Sequence, residues 1–163
     1  MPLSLHLFIH LYLAALVGYY FGRRFKHPVL GITFGILGGF LIDLDHVLEY
    51  FLFYGLHFNF TYFIQSRQFL LSDKIRIFFH AWEYFPLLLL IAWLLRRKQI
   101  LKMIFLTLAF AGLVHLISDV VINGYSLQYY SITYRALHHF SAPELLSPAD
   151  YQLNLDYKQK LGI

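Results

Sequence analysis

Four long apolar segments dominate the pattern of hydrophobic and polar positions along the chain. They cover residues 3–21, 28–48, 75–95 and 100–122, and a helix needs about 20 residues to cross a bilayer. The second segment reaches that length only when its polar end is included. The pattern therefore predicts an all-α fold: a polytopic membrane helical bundle with about four transmembrane helices, formed by residues 1–163 as a single domain.

Two stretches between and after these segments are rich in aromatic residues and poor in charge. Residues 50–72 carry many Phe and Tyr side chains, and residues 123–163 begin with a group of tyrosines before a polar tail. Aromatic side chains favour the boundary between membrane and water. We therefore expect both stretches to be interfacial segments on one side of the bilayer.

The composition supports a membrane environment. Only 13% of the residues are charged and 59% are hydrophobic, whereas a soluble domain carries about 25% charged residues. The lipid bilayer is therefore the first expected partner. The net charge is +4, but seven of the thirteen basic residues form two short clusters, Arg23/Arg24/Lys26 and Arg96/Arg97/Lys98/Lys102. These clusters do not form a binding face, so no nucleic-acid partner is expected.

The two basic clusters predict the orientation. Each occupies a short connection, one between the first two apolar segments and one between the last two, and short basic connections stay in the cytoplasm. We expect a multi-pass protein of the cytoplasmic (inner) membrane, with both termini and both aromatic segments on the outer side.

Ionisable side chains in the four segments share one depth. Each lies about 13 to 20 residues from the nearest basic cluster, or roughly 20–30 Å at about 1.5 Å per residue. Such groups are costly inside a membrane and indicate function, and a metal ion offsets that cost with its opposite charge. The expected ligands are His6, His10, Asp43, Asp45, His46, His80, Glu83, His115 and Asp119, with His138 completing the site from the tail.

The spacing of these residues favours a shared site. Residues three or four positions apart lie on one face of a helix, and bundle metal sites are built from such pairs on facing helices. Imidazole and carboxylate ligands without thiolates suit Zn²⁺, with Fe²⁺ and Mn²⁺ as alternatives. The pairs are His6/His10, Asp43/His46, His80/Glu83 and His115/Asp119.

Three further features leave alternatives open. Arg76 is a candidate phosphate contact or an interfacial charge, and Asn123 is a candidate substrate contact or a helix C-cap. Asp43 and Asp45 are also candidates for helix capping, or for orienting a histidine. Gly31, Gly35 and Gly39 have the spacing at which helices approach closely, which serves a homodimer or the internal bundle equally.

At these motifs the chain resembles the inner-membrane metal-dependent hydrolase family and, more distantly, the zinc-dependent phospholipase C and single-strand nuclease superfamily. The resemblance covers residues 3–122 and rests on His6, the Ile42–His46 run, the Arg76-to-His80 spacing and the His115–Asp119 motif. Ile75 stands where the family's third element has a His, and Glu83 follows instead. The resemblance implies a helical bundle with two or three Zn²⁺ ions that hydrolyses phosphoesters.

Together these features predict a membrane hydrolase that cleaves a lipid-like phosphoester with a metal-activated water at the outer bilayer face. Two ions about 4 Å apart hold both the attacking water and a phosphoryl oxygen. Asp45, as bridging ligand or general base, and Asp43 are the expected catalytic residues. Two other classes stay open: a membrane di-iron oxidase, and a non-enzymatic metal-binding protein that acts as sensor, carrier or structural site.

Overall fold

A computed structural model describes residues 3–163, and these residues form an all-helical fold. The predicted all-α class is therefore confirmed. A single 3₁₀ turn at Leu127–Tyr130 interrupts the series of α-helices. The helices are α1 Leu3–Arg24, α2 Pro28–Tyr54, α3 Phe60–Ile64, α4 Arg67–Ser72, α5 Tyr84–Leu94, α6 Gln99–Asn123, α7 Ile132–Leu137, α8 Ala142–Leu145 and α9 Pro148–Leu161.

Three of the helices, α1, α2 and α6, are long and apolar enough to cross a membrane. They form the centre of the fold, because each packs against the other two. Helix α5 packs against α6. The first, second and fourth predicted spans therefore correspond to helices, and α2 continues to Tyr54, six residues beyond the predicted end.

The third predicted span is wrong in its length. Helix α5 has 11 residues and begins only at Tyr84, so it is too short to cross a bilayer alone. Residues 75–83 have no helix. Pro86 lies in the first turn of α5, where a missing N–H costs nothing, and a helix reaching further back would put this proline in its interior.

Tertiary contacts explain why residues 75–83 need no helix of their own. The backbone N–H of Ile75 donates to the carbonyl of Phe140, and that of Trp82 donates to the carbonyl of Tyr130. Because other segments satisfy these backbone groups, the segment can follow the surface of the bundle. His80 and Glu83 consequently do not share a helix face, contrary to the prediction from their spacing.

Gly31, Gly35 and Gly39, which we call the glycine ladder, lie where α2 packs against α1. A Cβ atom added to Gly31 would overlap the carbonyl oxygen of Gly18, and one added to Gly35 would overlap that of Ala14. Only glycine permits such close approach of two helix backbones. The ladder is therefore occupied by the internal bundle and is not a free surface for a homodimer.

The remaining segments form a cap over one end of the bundle. Tyr50, at the end of α2, is fully buried, and its hydroxyl accepts a hydrogen bond of 2.8 Å from the backbone N–H of Asn59. Ile75 and Ile77 pack with α8 in a small apolar core. Lys158 of α9 forms an ion pair of 2.8 Å with Asp73, directly after α4. This cap lies at the end of the bundle where the sequence predicted ionisable groups at one shared depth.

Candidate metal centre

Seven histidine and aspartate side chains converge where the bundle meets the cap. We call them the His/Asp cluster. They come from α1, α2, α6 and the irregular segment before α5, and they form three overlapping groups whose ligand atoms lie within 4.8 Å of one another. The cluster consists of His6, His10, Asp43, His46, His80, His115 and Asp119.

Asp119 lies at the centre of the cluster. Its Oδ1 atom is 3.3 Å from Nε2 of His6 and 3.2 Å from Nε2 of His10. Its Oδ2 atom is 3.3 Å from Nε2 of His80 and 3.4 Å from Nε2 of His115. Each carboxylate oxygen therefore faces its own pair of imidazoles, which is the arrangement expected of a bridging ligand.

The two histidines of α1 point at one place. They are one helical turn apart, and their Nε2 atoms are 2.7 Å from each other and near the same oxygen of Asp119. Two imidazole nitrogens and one carboxylate oxygen thus converge. This donor set, without thiolate, suits a divalent transition metal ion.

On the other side of Asp119, Asp43 joins His80 and His115. Its Oδ1 atom is 3.6 Å from Nε2 of His80 and 3.5 Å from Nε2 of His115. The ring of His46 lies 5.0 Å from that of His80, and His46 forms a third group with Asp43 and His80.

Buried nitrogens in the cluster lack protein partners. Both ring nitrogens of His115 are buried and form no hydrogen bond, and Nδ1 of His10 is in the same position. Buried polar atoms are normally hydrogen-bonded, so each exception needs an explanation. A cation at Nε2 of His115 would satisfy that atom, so the residues present fit a metal ion.

Asp45 contacts the cluster from behind. Its Oδ2 atom accepts hydrogen bonds from Nδ1 of His80 at 2.8 Å and from the backbone N–H groups of Phe79 and His80 at 2.9 and 3.2 Å. These contacts fix the ring and turn Nε2 towards the cluster, as carboxylates do for metal-binding histidines. Asp45 is thus placed as a positioning residue through Oδ2, while its buried Oδ1 forms no hydrogen bond, so its role as bridging ligand or general base stays a prediction.

Besides Asp45, two predicted ligands lie outside the cluster. Glu83 accepts hydrogen bonds from Oγ of Ser131 at 2.6 Å and from the backbone N–H groups of Ile132 and Thr133 at the start of α7. Partial burial opposes the ionised form, but these donors prevail and lower the pKa of Glu83 to about 2. Nδ1 of His138 donates locally to the carbonyl oxygen of Tyr134 at 2.9 Å.

The two predicted substrate contacts have protein partners. Nη1 of Arg76 lies 3.0 Å from Oε1 of Glu49, a carboxylate buried in α2. Nδ2 of Asn123 donates to the hydroxyl of Tyr130 at 3.2 Å. Asn123 nevertheless lines a cavity beside the cluster, whereas Arg76 is held by Glu49.

That cavity has a volume of about 490 Å³ and joins the cluster to the cap. We call it the tyrosine cavity. Asp43, His46, His80 and Asp119 line it together with Tyr125, Tyr129, Tyr130 and Tyr157. Burial raises the pKa of Tyr130 above its ordinary value, so its phenol stays protonated. The cluster thus faces a space of mixed polarity.

Arg135 supports the site, although no sequence motif marks it. Its fully buried guanidinium donates to the carbonyl oxygens of Ile77, His80 and Tyr129 at 2.7, 2.9 and 2.7 Å. It therefore holds the segment that carries His80. Its partners are backbone carbonyls, which have no residue signature, so sequence patterns gave no sign of this role.

Comparison of the chain with protein-family models, curated proteins and solved structures gave no match. The resemblance to metal-dependent hydrolases consequently rests on the short motifs alone, and the assignment of an activity rests on the geometry of the cluster.

Proposed function

We propose that this chain is a membrane-embedded metal-dependent hydrolase that cleaves a phosphoester of a lipid-like substrate with a metal-activated water. The observation that carries the proposal is the position of Asp119. Its two oxygens face two separate histidine pairs at 3.2–3.4 Å, which supports two neighbouring cation positions joined by one carboxylate. Such paired ions are typical of enzymes that displace groups at phosphorus.

Six of the seven residues of the His/Asp cluster divide between two positions, and His46 belongs to the third group, which shares His80 with the second position. His6, His10 and Oδ1 of Asp119 form the first. His80, His115 and Oδ2 of Asp119 form the second, with Oδ1 of Asp43 beside them. Because Asp45 occupies Nδ1 of His80, this ring has one free nitrogen and serves a single ion. The described residues therefore favour two ions over three, with Zn²⁺ as the expected metal and Fe²⁺ or Mn²⁺ as alternatives.

A zinc ion at these ligands would lower the pKa of a bound water to near neutrality. The chain's own carboxylates then divide the work. The side chain of Asp43 is 21% exposed, compared with 4% for Asp119 and none for Asp45. Asp43 also lines the tyrosine cavity. We therefore assign Asp43 to receive the proton of the attacking water, while Asp45 holds His80 in place.

The expected orientation puts the substrate in the outer leaflet. Arg23 and Arg24 lie in the last turn of α1, and Lys98 precedes α6. His6 and His115 lie towards the opposite ends of those two helices. With the basic ends in the cytoplasm, the cluster lies near the outer face of the inner membrane.

A structural metal site is the second candidate. His10, His115 and Asp119 are each at most 4% exposed, and closed coordination is typical of structural zinc. This candidate predicts bound metal that stabilises the fold without hydrolysis.

The deciding experiment combines metal analysis with an activity assay. The full chain, purified in detergent without chelator, is measured by elemental mass spectrometry and assayed on fluorescent lipid phosphoesters. His115→Ala is compared with His57→Ala, a matched control on an exposed residue. We expect about two metal ions per chain and metal-dependent hydrolysis, both reduced only in His115→Ala. Bound metal without hydrolysis would favour the structural site, and absence of metal would reject the proposal.

A further inference from the structure

A second cavity lies within the helical bundle, between α2, α5 and α6, and differs from the tyrosine cavity in chemistry. Its volume is about 350 Å³. It is lined by glycine, alanine, leucine, isoleucine, phenylalanine and tyrosine side chains, and the lining contains no ionisable carboxylate, imidazole or ammonium group. We call it the apolar cavity.

Small residues create this space. Gly38 and Gly112 line it from α2 and α6, and Ala81 and Ala109 add two more short side chains. A Cβ atom on Gly112 would lie 3.3 Å from Cδ1 of Ile42 across the cavity. Larger residues at these positions would close the gap between the helices, so the space depends on local residue size.

The apolar cavity and the His/Asp cluster share three segments of the chain. Ile42 lines the cavity, and its neighbour Asp43 belongs to the cluster. Phe79 and His80 form the same kind of pair in the segment before α5, and Leu116 and His115 form it on α6. The cavity is therefore next to the cluster along three segments of the chain: α2, the segment before α5, and α6.

We propose that the apolar cavity binds one hydrocarbon chain and that this chain is part of the substrate whose phosphoester lies at the His/Asp cluster. The second half of this inference rests on the proposed hydrolase function. An apolar space of about 350 Å³ whose lining carries no charged group suits a hydrocarbon chain and offers nothing to a polar head group.

Such a site would orient the substrate more than it would retain it. Lipid tails are as apolar as leucine side chains, so a chain that moves from the bilayer into the cavity gains little hydrophobic free energy. It does gain a fixed position relative to the cluster, and correct placement of a reacting group is itself a large source of rate acceleration. The substrate's chain would enter the cavity between α2 and α5, which both line it.

The binding step can be tested without turnover. The probe is a monoacyl glycerol phosphate with a palmitoyl chain that carries a diazirine at mid-chain, added to the chain of residues 1–163 in phosphatidylcholine vesicles. After illumination, mass spectrometry maps the modified residues. We expect the label on cavity-lining residues of α2, α5 and α6. Label spread over the exposed faces of α1, α2 and α6 would overturn the inference.

A pair of variants checks the location. Leu113→Trp places a larger side chain in the cavity wall, whereas Leu90→Trp makes the same change on an exposed position of α5. Labelling should be lost in the first and kept in the second, with thermal unfolding confirming that both fold. Should Leu113→Trp fail to fold, the map of labelled residues in the unsubstituted protein still decides.

Hydrolysis of octyl, dodecyl and hexadecyl phosphoesters separates the two proposals. Rates that rise with chain length, and that lose this dependence in Leu113→Trp, would support the assignment of the chain to the substrate. Equal rates with a labelled cavity would mean that a resident membrane lipid fills it, and would overturn that assignment. Absence of hydrolysis by the metal-loaded protein would reject the hydrolase proposal and, with it, the claim that the bound chain belongs to a substrate. Hydrolysis by a protein whose cavity is not labelled would reject only the inference that the cavity binds a hydrocarbon chain.

Discussion

Nδ1 of His80 lies 2.8 Å from Oδ2 of Asp45, and this contact fixes which ring nitrogen faces the cluster. The same oxygen also accepts the backbone N–H groups of Phe79 and His80, so one carboxylate from α2 positions both the ring and the backbone of the segment that precedes α5. A metal-binding role for His80 therefore depends on Asp45, which lies outside the three groups of converging ligand atoms.

Asp45→Asn tests this dependence. The amide keeps the size of the side chain but removes the negative charge that orients the imidazole, so metal affinity should fall about 10–100-fold at the position that includes His80, while the other position is retained. Zinc titration of the purified protein, read by elemental mass spectrometry, measures both. Asp156→Asn, on an exposed residue of α9, is the matched control, and equal affinities in the two variants would contradict the assignment.

Asp119→Ala and His10→Ala should differ in metal stoichiometry. Loss of the carboxylate removes a ligand from both positions, so Asp119→Ala should lose both ions. His10 belongs only to the group on the α1 side, so His10→Ala should keep about one of about two ions. The measurement is the metal-to-protein ratio after dialysis. Equal ratios in the two variants would exclude a bridging role for Asp119.

Gly35→Ala should destabilise the bundle more than Gly38→Ala. An added Cβ at Gly35 overlaps the backbone of α1, whereas at Gly38 its nearest contacts, with Leu108 and Ala111 of α6, are longer, at 3.1–3.3 Å. Overpacking typically costs about 1–3 kcal/mol, and backbone cannot move aside as a side chain can. Thermal unfolding in detergent compares the two variants. A lower unfolding midpoint for Gly38→Ala than for Gly35→Ala would contradict the tight backbone contact between α1 and α2.

Arg135→Lys should loosen the segment that carries His80. The guanidinium serves three carbonyl oxygens at once, and an ammonium group lacks that planar geometry. Each buried acceptor left without a donor costs about 1–3 kcal/mol, so both the free energy of unfolding and the metal content should fall. Arg97→Lys, on an exposed position, should change neither. Unaltered hydrogen exchange in residues 75–83 of Arg135→Lys would contradict the role.

The pH dependence of stability should include a contribution from Glu83. Its pKa is lowered in the folded chain from 4.5 to about 2, so the ionised form stabilises the fold above pH 4.5 and this contribution is lost as the pH falls from about 4.5 towards 2. Glu83→Gln removes the titrating group. Its unfolding midpoint should therefore fall less steeply over that range than that of the unsubstituted protein, and parallel curves would show that the α7 contacts do not matter.

The hydrophobic pattern by itself determined most of the bundle. Long apolar runs predicted α1, α2 and α6, because burial in an apolar environment requires continuous helices that satisfy their own backbone. The i,i+4 spacing of His6/His10 and of His115/Asp119 placed each pair on one face, since a helix fixes that geometry locally. The Asp-Leu-Asp-His run indicated a cation near the end of α2, but it left the roles of the two carboxylates open.

Only the tertiary structure decided the rest, because those features depend on contacts between distant segments. Residues 75–83 look apolar enough for a helix, yet their hydrogen bonds go to Asp45, Tyr130, Arg135 and Phe140. That arrangement moves His80 into the cluster and Glu83 to the start of α7. The spacing of the glycine ladder does not specify which helix it contacts. The packing of the bundle brings the backbone of α1 against it. Side-chain spacing thus defined which groups could meet within one helix, and the packing of helices and cap defined which groups did.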